Sequence, residues 1–111
     1  MHVDVFVNSF YASNTYILSV DFDDGVWIVD VGDVSNIVEW LKTKGKGIKG
    51  VLLTHTHFDH IYGLNDLLSY DSCVKVYTCR EGKSGLYSDK LNLSRYHDNP
   101  FVFRGKDVRL L

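Results

Sequence analysis

Four side chains of the kinds that bind metals lie within six residues, at His55, His57, Asp59 and His60. Imidazole nitrogen and carboxylate oxygen are ligands that zinc and other borderline-soft divalent cations accept. The whole chain has only five histidines, so three of them in one short segment favour a shared role over chance. The sequence therefore predicts metal chemistry at residues 55–60.

The spacing within this segment indicates how the side chains divide between ions. His55 and His57 are two residues apart, and on extended backbone both side chains then point to the same side, where they can bind one ion together. Asp59 and His60 follow one turn later and suit a second ion, and Asp59 is also a candidate catalytic residue that orients water. Paired metals about 3.5–4 Å apart polarise the bond being cleaved, and zinc lowers the pKa of bound water to about 7. Hydrolysis is the chemistry that this arrangement predicts.

The remaining histidines and Asp30 carry weaker signals. His2 and His97 are expected to be ordinary hydrogen-bonding side chains, because each stands outside the cluster. Asp30 ends a predicted strand, and two interpretations stay open: an ordinary turn carboxylate, or a residue that supports the histidine segment from behind. Cys73 and Cys79 flank a strand-like run that holds them too far apart for a disulfide, so we expect two unpaired, buried cysteines in a reducing compartment.

The surrounding pattern shows which elements must position the segment. An almost unbroken apolar run at 48–53 precedes it, as is typical of a strand covered on both faces. Upstream, the pattern predicts antiparallel strands and a helix that begins after Ser35 as N-cap and ends at Gly45. Downstream it predicts a short helix, a strand, a long loop with at most a helical turn, a further strand and the start of a last element. The upstream strands are predicted over 2–7, 15–22 and 26–30. Downstream, the short helix is predicted over 61–68, the strand over 73–78, the long loop over 81–95, the further strand over 101–103 and the start of the last element over 108–111.

This order of elements predicts an α/β fold with a mixed β-sheet and flanking helices. The histidines then lie at the carboxyl end of a strand, where such sheets form their sites. A length of 111 residues suits a single domain over residues 1–111. A net charge of -2 without a basic stripe indicates no nucleic-acid partner. The absence of a long apolar stretch and of a secretory signal leads us to expect a cytoplasmic protein with no membrane partner.

The segment His-Thr-His-Phe-Asp-His, after the strand-like run 50–54, resembles the HxHxDH signature of the metallo-β-lactamase fold superfamily. The resemblance extends upstream to Asn14-Thr15-Tyr16 and Val29-Asp30-Val31-Gly32, and covers residues 10–80 well. Within the superfamily, the chain is most similar to small glyoxalase II-like hydrolases. The resemblance implies that His55 and His57 bind a first metal and that Asp59 and His60 bind a second. It implies zinc as the usual metal, with iron or manganese as alternatives.

The resemblance also implies a fold and a reaction. The superfamily fold is an αββα sandwich of two pseudo-repeated halves with the site between them, and its typical reaction is hydrolysis of thioesters, lactams, lactones or phosphodiesters by metal-bound hydroxide. A third histidine, a bridging aspartate and a last histidine lie in later segments of family members and have no counterpart here. We therefore expect the N-terminal half of a thioesterase-like hydrolase, incomplete and weakly active or inactive alone.

A half-sandwich would expose one apolar sheet face, which soluble monomers avoid. We therefore expect the chain to associate through that face, with a second copy or with a complementing C-terminal half. An alternative function is a non-catalytic metal-binding or assembly half-domain that works through a partner chain. A nuclease-type member and a secreted β-lactamase are less favoured, because a basic surface and an export signal are missing. The substrate, a small molecule, is left open.

Overall fold

The computed structural model describes residues 1–97 and 100–111, and in this part of the chain six strands form one mixed sheet in sequence order. The first three strands are antiparallel, and the third to sixth are parallel. This arrangement confirms the predicted α/β fold with a mixed sheet. The strands are β1 (His2–Val7), β2 (Asn14–Ser19), β3 (Gly25–Val29), β4 (Gly47–Leu52), β5 (Val76–Thr78) and β6 (Val108–Leu110), and the helices are α1 (Val34–Lys44), α2 (Leu64–Tyr70) and α3 (Arg80–Leu86).

One face of the sheet forms the core together with the helices. Alternate residues of β2 to β5 turn towards α1, α2 and α3, because successive side chains of a strand point to opposite faces. These strand residues are completely buried and belong to one apolar cluster with helix residues such as Leu41, Leu64 and Leu86. We call this side the covered face; its strand residues are Ile17, Val26, Ile28, Val51 and Val76.

The opposite side, which we call the open face, is apolar as well. Cross-strand pairing aligns its residues in rows, one of which runs from Val5 through Tyr16, Val29 and Leu52 to Tyr77. These residues are half-buried or exposed and uncharged, and the row ends on β6 with the charged Arg109, which pairs with Tyr77. The open face comprises Val3, Val5, Val7, Tyr16, Leu18, Trp27, Val29, Leu52 and Tyr77.

The ends of α1 correct one prediction and confirm another. The helix begins at Val34 with Asp33 as N-cap, so the prediction of Ser35 as N-cap was wrong. The side chain of Asp33 makes no hydrogen bond to the first turn of the helix; its carboxylate accepts hydrogen bonds from Ser9 and Tyr62 instead. At the other end Gly45 has a φ of 65°, the left-handed C-terminal cap that its position predicts.

The predicted strand over 15–22 is shorter in the structure. β2 ends at Ser19, and the chain turns between Val20 and Asp24 before β3. The Asp23 N–H donates to the Val20 carbonyl at 3.1 Å, and the Asp23 carboxylate accepts from the Gly25 N–H at 3.0 Å. The alternation of Val20 and Phe22 therefore continues into a turn, where both side chains are exposed.

Residues 80–86 form a helix where a loop was expected. Gly82 and Gly85 lower the intrinsic helix propensity of this segment. In the fold they allow close packing, because a Cβ at Gly82 would lie 2.2 Å from Oγ1 of Thr78 and a Cβ at Gly85 would lie 2.2 Å from Oγ1 of Thr56. Tertiary packing therefore outweighs propensity, and α3 lies directly against the loop that follows β4.

Two further predictions in the second half need correction. Residues 101–103 do not form a strand; Phe101 and Phe103 fill the core, and the Phe103 N–H donates to the Leu86 carbonyl of α3 at 2.8 Å. The predicted strand over 73–78 is limited to Val76–Thr78. Cys73 and Cys79 are free, as expected, but they are exposed rather than buried. The C-terminal residues 108–110 add a parallel edge strand.

Within the residues that the structure describes, no helix has the length and apolar character needed to cross a membrane.

Candidate metal centre

The histidine segment leaves β4 as a loop and closes as a 3₁₀ turn over Phe58–His60. β4 ends at Leu52, so no strand fixes the relative positions of His55 and His57. The His60 N–H donates to the His57 carbonyl at 3.0 Å, which bends the backbone. This bend brings the end of the segment back towards His55.

Three of the predicted ligands converge. His55, Asp59 and His60 each place one ligand atom so that all three atoms lie within 4.8 Å of one another. The ring centroids of His55 and His60 are 4.0 Å apart, and Oδ2 of Asp59 lies 3.3 Å from Nε2 of His60. The ring of His57 lies 5.0 Å from that of His55 but is not in this group of three. This group combines one member of the predicted first pair, His55, with both members of the predicted second pair, Asp59 and His60. The division of the four ligands between two ions stays a prediction.

Asp30 lies behind His60, and its carboxylate is almost fully buried. Oδ1 accepts the Thr54 N–H at 2.8 Å, while Oδ2 accepts the Thr54 hydroxyl at 2.6 Å and contacts Nδ1 of His60 at 2.8 Å. A carboxylate only accepts, so Nδ1 of His60 carries a proton that it donates to Asp30, and Nε2, which faces Asp59 at 3.3 Å, is the nitrogen that would be presented to a metal. These contacts match the supporting interpretation of Asp30, in which a carboxylate orients a ligating histidine.

The backbone of Asp30 has an unusual conformation that makes these contacts. Its φ is 59°, in the left-handed region that aspartate tolerates better than most residues. The Asp30 N–H donates to the Leu52 carbonyl at 2.9 Å, which ties the end of β3 to the end of β4. The carboxylate thereby reaches the neighbouring loop instead of continuing along the sheet.

Thr54 is a site residue that the sequence analysis did not single out. Its hydroxyl donates to Asp30, and its oxygen lies 3.1 Å from Nδ1 of His55. A hydroxyl can donate one hydrogen bond and accept another at the same time. The Thr54 oxygen therefore accepts a hydrogen bond from Nδ1–H of His55, and in the neutral imidazole Nε2 is then unprotonated. The signal that could have identified it is its position directly before His55, with a small polar side chain at the end of an apolar strand.

The electrostatic surroundings keep His55 in the form that binds metals. Partial burial lowers the pKa of His55 below its ordinary value, and the neighbouring imidazoles of His60 and His57 lower this pKa further. The carboxylates of Asp30 and Asp59 oppose this shift but do not outweigh it. A neutral imidazole has a free lone pair, which ligation requires.

The loop between β3 and α1 packs directly against the segment. The Val31 N–H donates to the His60 carbonyl at 2.8 Å, and the Gly63 N–H donates to the Val31 carbonyl at 3.2 Å. A Cβ at Gly63 would lie 1.9 Å from the Gly32 carbonyl oxygen, so only glycine allows this approach. The end of β3 and the start of α2 therefore hold the backbone of His60 from both sides.

A cleft of about 470 Å³ opens beside His55 and His57. Its volume suits a small molecule. One wall is the histidine loop, and the other is formed by α3 and the residues that flank it: Cys79, Glu81, Gly82, Ser84, Gly85 and Leu91.

The other two histidines lie elsewhere. Nε2 of His2 lies 2.6 Å from an Asp21 carboxylate oxygen at the surface. The ring of His97 packs against Phe58 at 4.0 Å between centroids. Both have local partners, and neither belongs to the group of three that His55 forms with Asp59 and His60.

Comparison with known proteins places this chain in a family. The sequence profile of the metallo-β-lactamase superfamily matches residues 9–111. The hydroxyacylglutathione hydrolase of Hahella chejuensis is 38% identical over 58 residues, which are 51% of this chain and 23% of that relative. The chain spans about a quarter of the length of the curated relatives it matches.

Two solved structures have the same fold as the chain. The BLEG-1 B3 metallo-β-lactamase matches with a TM-score of 0.85 and 28% identity, over 99% of this chain and 53% of that one. The protein TTHA1623, solved in a di-iron-bound form, matches with a TM-score of 0.75 and 22% identity, over 98% of this chain and 54% of that one. The chain therefore spans about half of each structure. With a profile match over nearly all of its length, the chain belongs to the metallo-β-lactamase superfamily.

Proposed function

We propose that this chain is the metal-binding half of a metal-dependent hydrolase of the glyoxalase II type, which cleaves a thioester or a similar ester-type bond in a small molecule. The observation that carries the proposal is the convergence of His55, Asp59 and His60, with Asp30 oriented behind His60. The name of the Hahella chejuensis relative supports an acyl thioester as the substrate class.

The donor set fits a divalent metal. Two imidazoles, each with its Nδ1 proton engaged by Asp30 or Thr54, present unprotonated Nε2 atoms, and Asp59 adds a carboxylate. Nitrogen and oxygen donors of this kind suit zinc, and they also suit iron or manganese. Zinc is our first proposal, with one or two ions; the di-iron form of TTHA1623 supports iron as the alternative. His57, beside His55, is proposed as a further ligand of the first ion.

The proposed reaction divides its work between the metal and the chain. When bound, the metal supplies a Lewis acid that lowers the pKa of water and polarises the substrate carbonyl. Asp30 keeps His60 in the ligating tautomer, and Thr54 does the same for His55. Asp59, as the catalytic residue, would orient the attacking water. The cleft beside His55 and His57 holds the acyl group in place.

A complementing C-terminal half would cover the open face. The chain superposes on just over half of BLEG-1, so the other part of that fold has no equivalent here. Residues such as Trp27 and Leu18 are apolar, uncharged and incompletely buried, as is expected of a surface that packs against a second sheet. We also propose a cytoplasmic location, supported by the two free cysteines.

Metal analysis of the purified chain tests the site. His55→Ala removes one donor from the group of three, and we expect it to lower the bound zinc per chain at least tenfold, measured by elemental analysis after dialysis. His2→Ala, which changes a surface histidine outside the group, is the matched control and should retain the wild-type content. Equal zinc contents in the wild type and His55→Ala would contradict the metal site.

A mixing experiment tests the proposed partner. The part of BLEG-1 outside the superposed region, expressed separately, should form a one-to-one complex with this chain in light scattering, and Leu18→Lys on the open face should weaken that complex. A homodimer of the chain that excludes the added half would instead identify a second copy as the occupant. Tight metal binding by the complex without thioester hydrolysis would favour the alternative of a non-catalytic metal-binding half-domain.

A further inference from the structure

The turn between β1 and β2 contacts the histidine segment and is itself strained. Tyr11 and Ala12 have φ values of 56° and 50°, in the left-handed region. For residues other than glycine these conformations are unfavourable, and they persist where the surrounding structure enforces them. The turn is closed by the Asn8 N–H, which donates to the Ser13 carbonyl at 2.7 Å. Contacts between this turn and the rest of the chain must therefore offset the strain of the turn.

Ser13 makes the most direct of these contacts. Its side chain is buried, and its hydroxyl donates to the Asp59 carbonyl at 2.7 Å. The direction of this bond is set by the Asp59 carbonyl, which can only accept, and the Asn8 amide nitrogen donates to the Ser13 oxygen at 3.3 Å. Asn8 is fixed in turn, because its amide oxygen accepts the Asp33 N–H at 2.9 Å. The hydroxyl proton of Ser13 is therefore directed at the backbone of Asp59.

Aromatic packing holds the residue just before Asp59. The rings of Phe10 and Tyr11 meet Phe58 edge to face, with centroids 5.5 Å and 5.8 Å apart. Phe58 is buried and lies in the chain directly between His57 and Asp59. The turn thus contacts the segment at Phe58 through its rings and at Asp59 through a hydrogen bond.

We propose that Ser13 is a positioning residue for Asp59: its hydrogen bond to the Asp59 carbonyl holds that peptide so that the carboxylate stays beside His60 and His55. The inference rests on the proposed function in that Asp59 is taken as a metal ligand. The strain of the turn, the burial of Ser13 and the hydrogen bond that its oxygen accepts from Asn8 support the same role.

A metal-free measurement tests the contact itself. A hydrogen bond to the Asp59 carbonyl polarises the peptide that joins Asp59 to His60. We expect Ser13→Ala to shift the carbonyl carbon resonance of Asp59 and the amide nitrogen resonance of His60. Ser94→Ala is the matched control, because Ser94 is also buried and also bonds to backbone, but to Phe101. It should leave both resonances in place, whereas unchanged resonances in Ser13→Ala would overturn the proposal.

Metal affinity tests the consequence. Residues that orient ligands typically contribute about 10–100-fold to metal affinity. We expect Ser13→Ala to weaken zinc binding about tenfold in competition with a chelator and to change the absorption spectrum of the cobalt-loaded chain. Ser13→Thr, which keeps the hydroxyl, should restore the affinity and the spectrum. Ser94→Ala should lower the free energy of unfolding by as much as Ser13→Ala does, but it should bind zinc with the affinity of the wild type.

The outcomes separate the two proposals. A wild-type chain that binds no zinc would contradict the proposed function, while the metal-free resonances would still decide whether Ser13 holds the Asp59 peptide. A wild-type chain that binds zinc, with equal affinity in Ser13→Ala, would overturn the positioning role and leave the proposed function standing. An equal loss of affinity in Ser94→Ala would also overturn it, because the effect would then follow general stability.

Discussion

The two faces of the sheet have similar apolar residues and very different surroundings. On β2, Ile17 points to the covered face and is completely buried beneath the helices, whereas its neighbour Leu18 points to the open face and is only half-buried. On β3, Ile28 and Trp27 show the same contrast. Strand periodicity alone therefore does not distinguish a face that the helices cover from a face that stays partly exposed.

This contrast shows how the site depends on the covered face. β3 and β4 deliver Asp30 and the histidine segment from their carboxyl ends, and α1 and α2 pack around the loops that follow. The covered face therefore holds the elements that position Asp30 and the histidine segment. The open face adds no donor to the group of three, and its apolar surface is suited to association.

The largest expected effect is on stability and compares neighbouring residues. Ile17→Ala should lower the free energy of unfolding by about 3 kcal/mol, because it leaves a cavity in the core. Leu18→Ala should cost about 1 kcal/mol, because its side chain already contacts solvent. Urea denaturation at low protein concentration measures both. Equal losses would mean that the open face is packed as tightly as the covered one.

A smaller effect is expected at a glycine beneath the open face. A Cβ at Gly50 would lie 2.5 Å from the Trp27 ring and 2.9 Å from the Tyr77 ring, which meet edge to face above it. Gly50→Ala should displace both rings and cost about 1–2 kcal/mol. The emission maximum of Trp27, measured in a Trp40→Phe background so that Trp27 is the remaining tryptophan, should shift when Gly50 is replaced. Gly47→Ala is the control, because a Cβ there meets nothing within 4 Å. Similar losses of unfolding free energy at both positions would show that the two rings do not pack against Gly50.

The smallest expected effect is the pH dependence of stability that arises from Asp33, which lies on neither face of the sheet. Burial would raise the pKa of Asp33, but hydrogen bonds from Tyr62 and Ser9 outweigh it and hold this pKa below the ordinary 3.8. The folded-state pKa is lower than the unfolded one, so this carboxylate stabilises the fold above the unfolded-state pKa. That stabilisation is lost as the pH falls through the folded-state pKa.

Asp33→Asn should therefore lower the free energy of unfolding by about 1 kcal/mol near neutral pH, and the difference from the wild type should shrink below about pH 4. Chemical denaturation across this pH range measures it. Tyr62→Phe, which removes one of the donors, should show a smaller loss with the same pH dependence. A difference that stays constant down to pH 3 would assign the acid sensitivity to other groups.

Prediction from sequence succeeded where local pattern is sufficient. The turn at Gly45, the mixed sheet and the position of the histidines after β4 all follow from residue types and periodicity. It failed where tertiary contacts outweigh local preference. α3 forms despite Gly82 and Gly85 because those glycines allow close packing, and Phe101 and Phe103 alternate like a strand but fill gaps in the core.

The site shows the same limit. The donor types of residues 55–60 are visible in the sequence, but their convergence is not, because it depends on a bend at residues 57–60 that local periodicity does not predict. The contacts of Asp30 with His60 and of Ser13 with Asp59 join residues that are 30 and 46 positions apart. No spacing rule connects positions so distant, so neither contact could be read from the motif.

The sequence by itself determined the chemistry that is available: three imidazoles and a carboxylate after an apolar strand, in a chain with enough apolar residues to form a sheet. Only the tertiary structure decided which of those donors meet, which nitrogen His55 and His60 present, and which apolar face the helices leave open. The reason is physical. Donor type and strand periodicity belong to single residues and their neighbours, whereas convergence, tautomer and burial depend on contacts between elements that are distant in the chain.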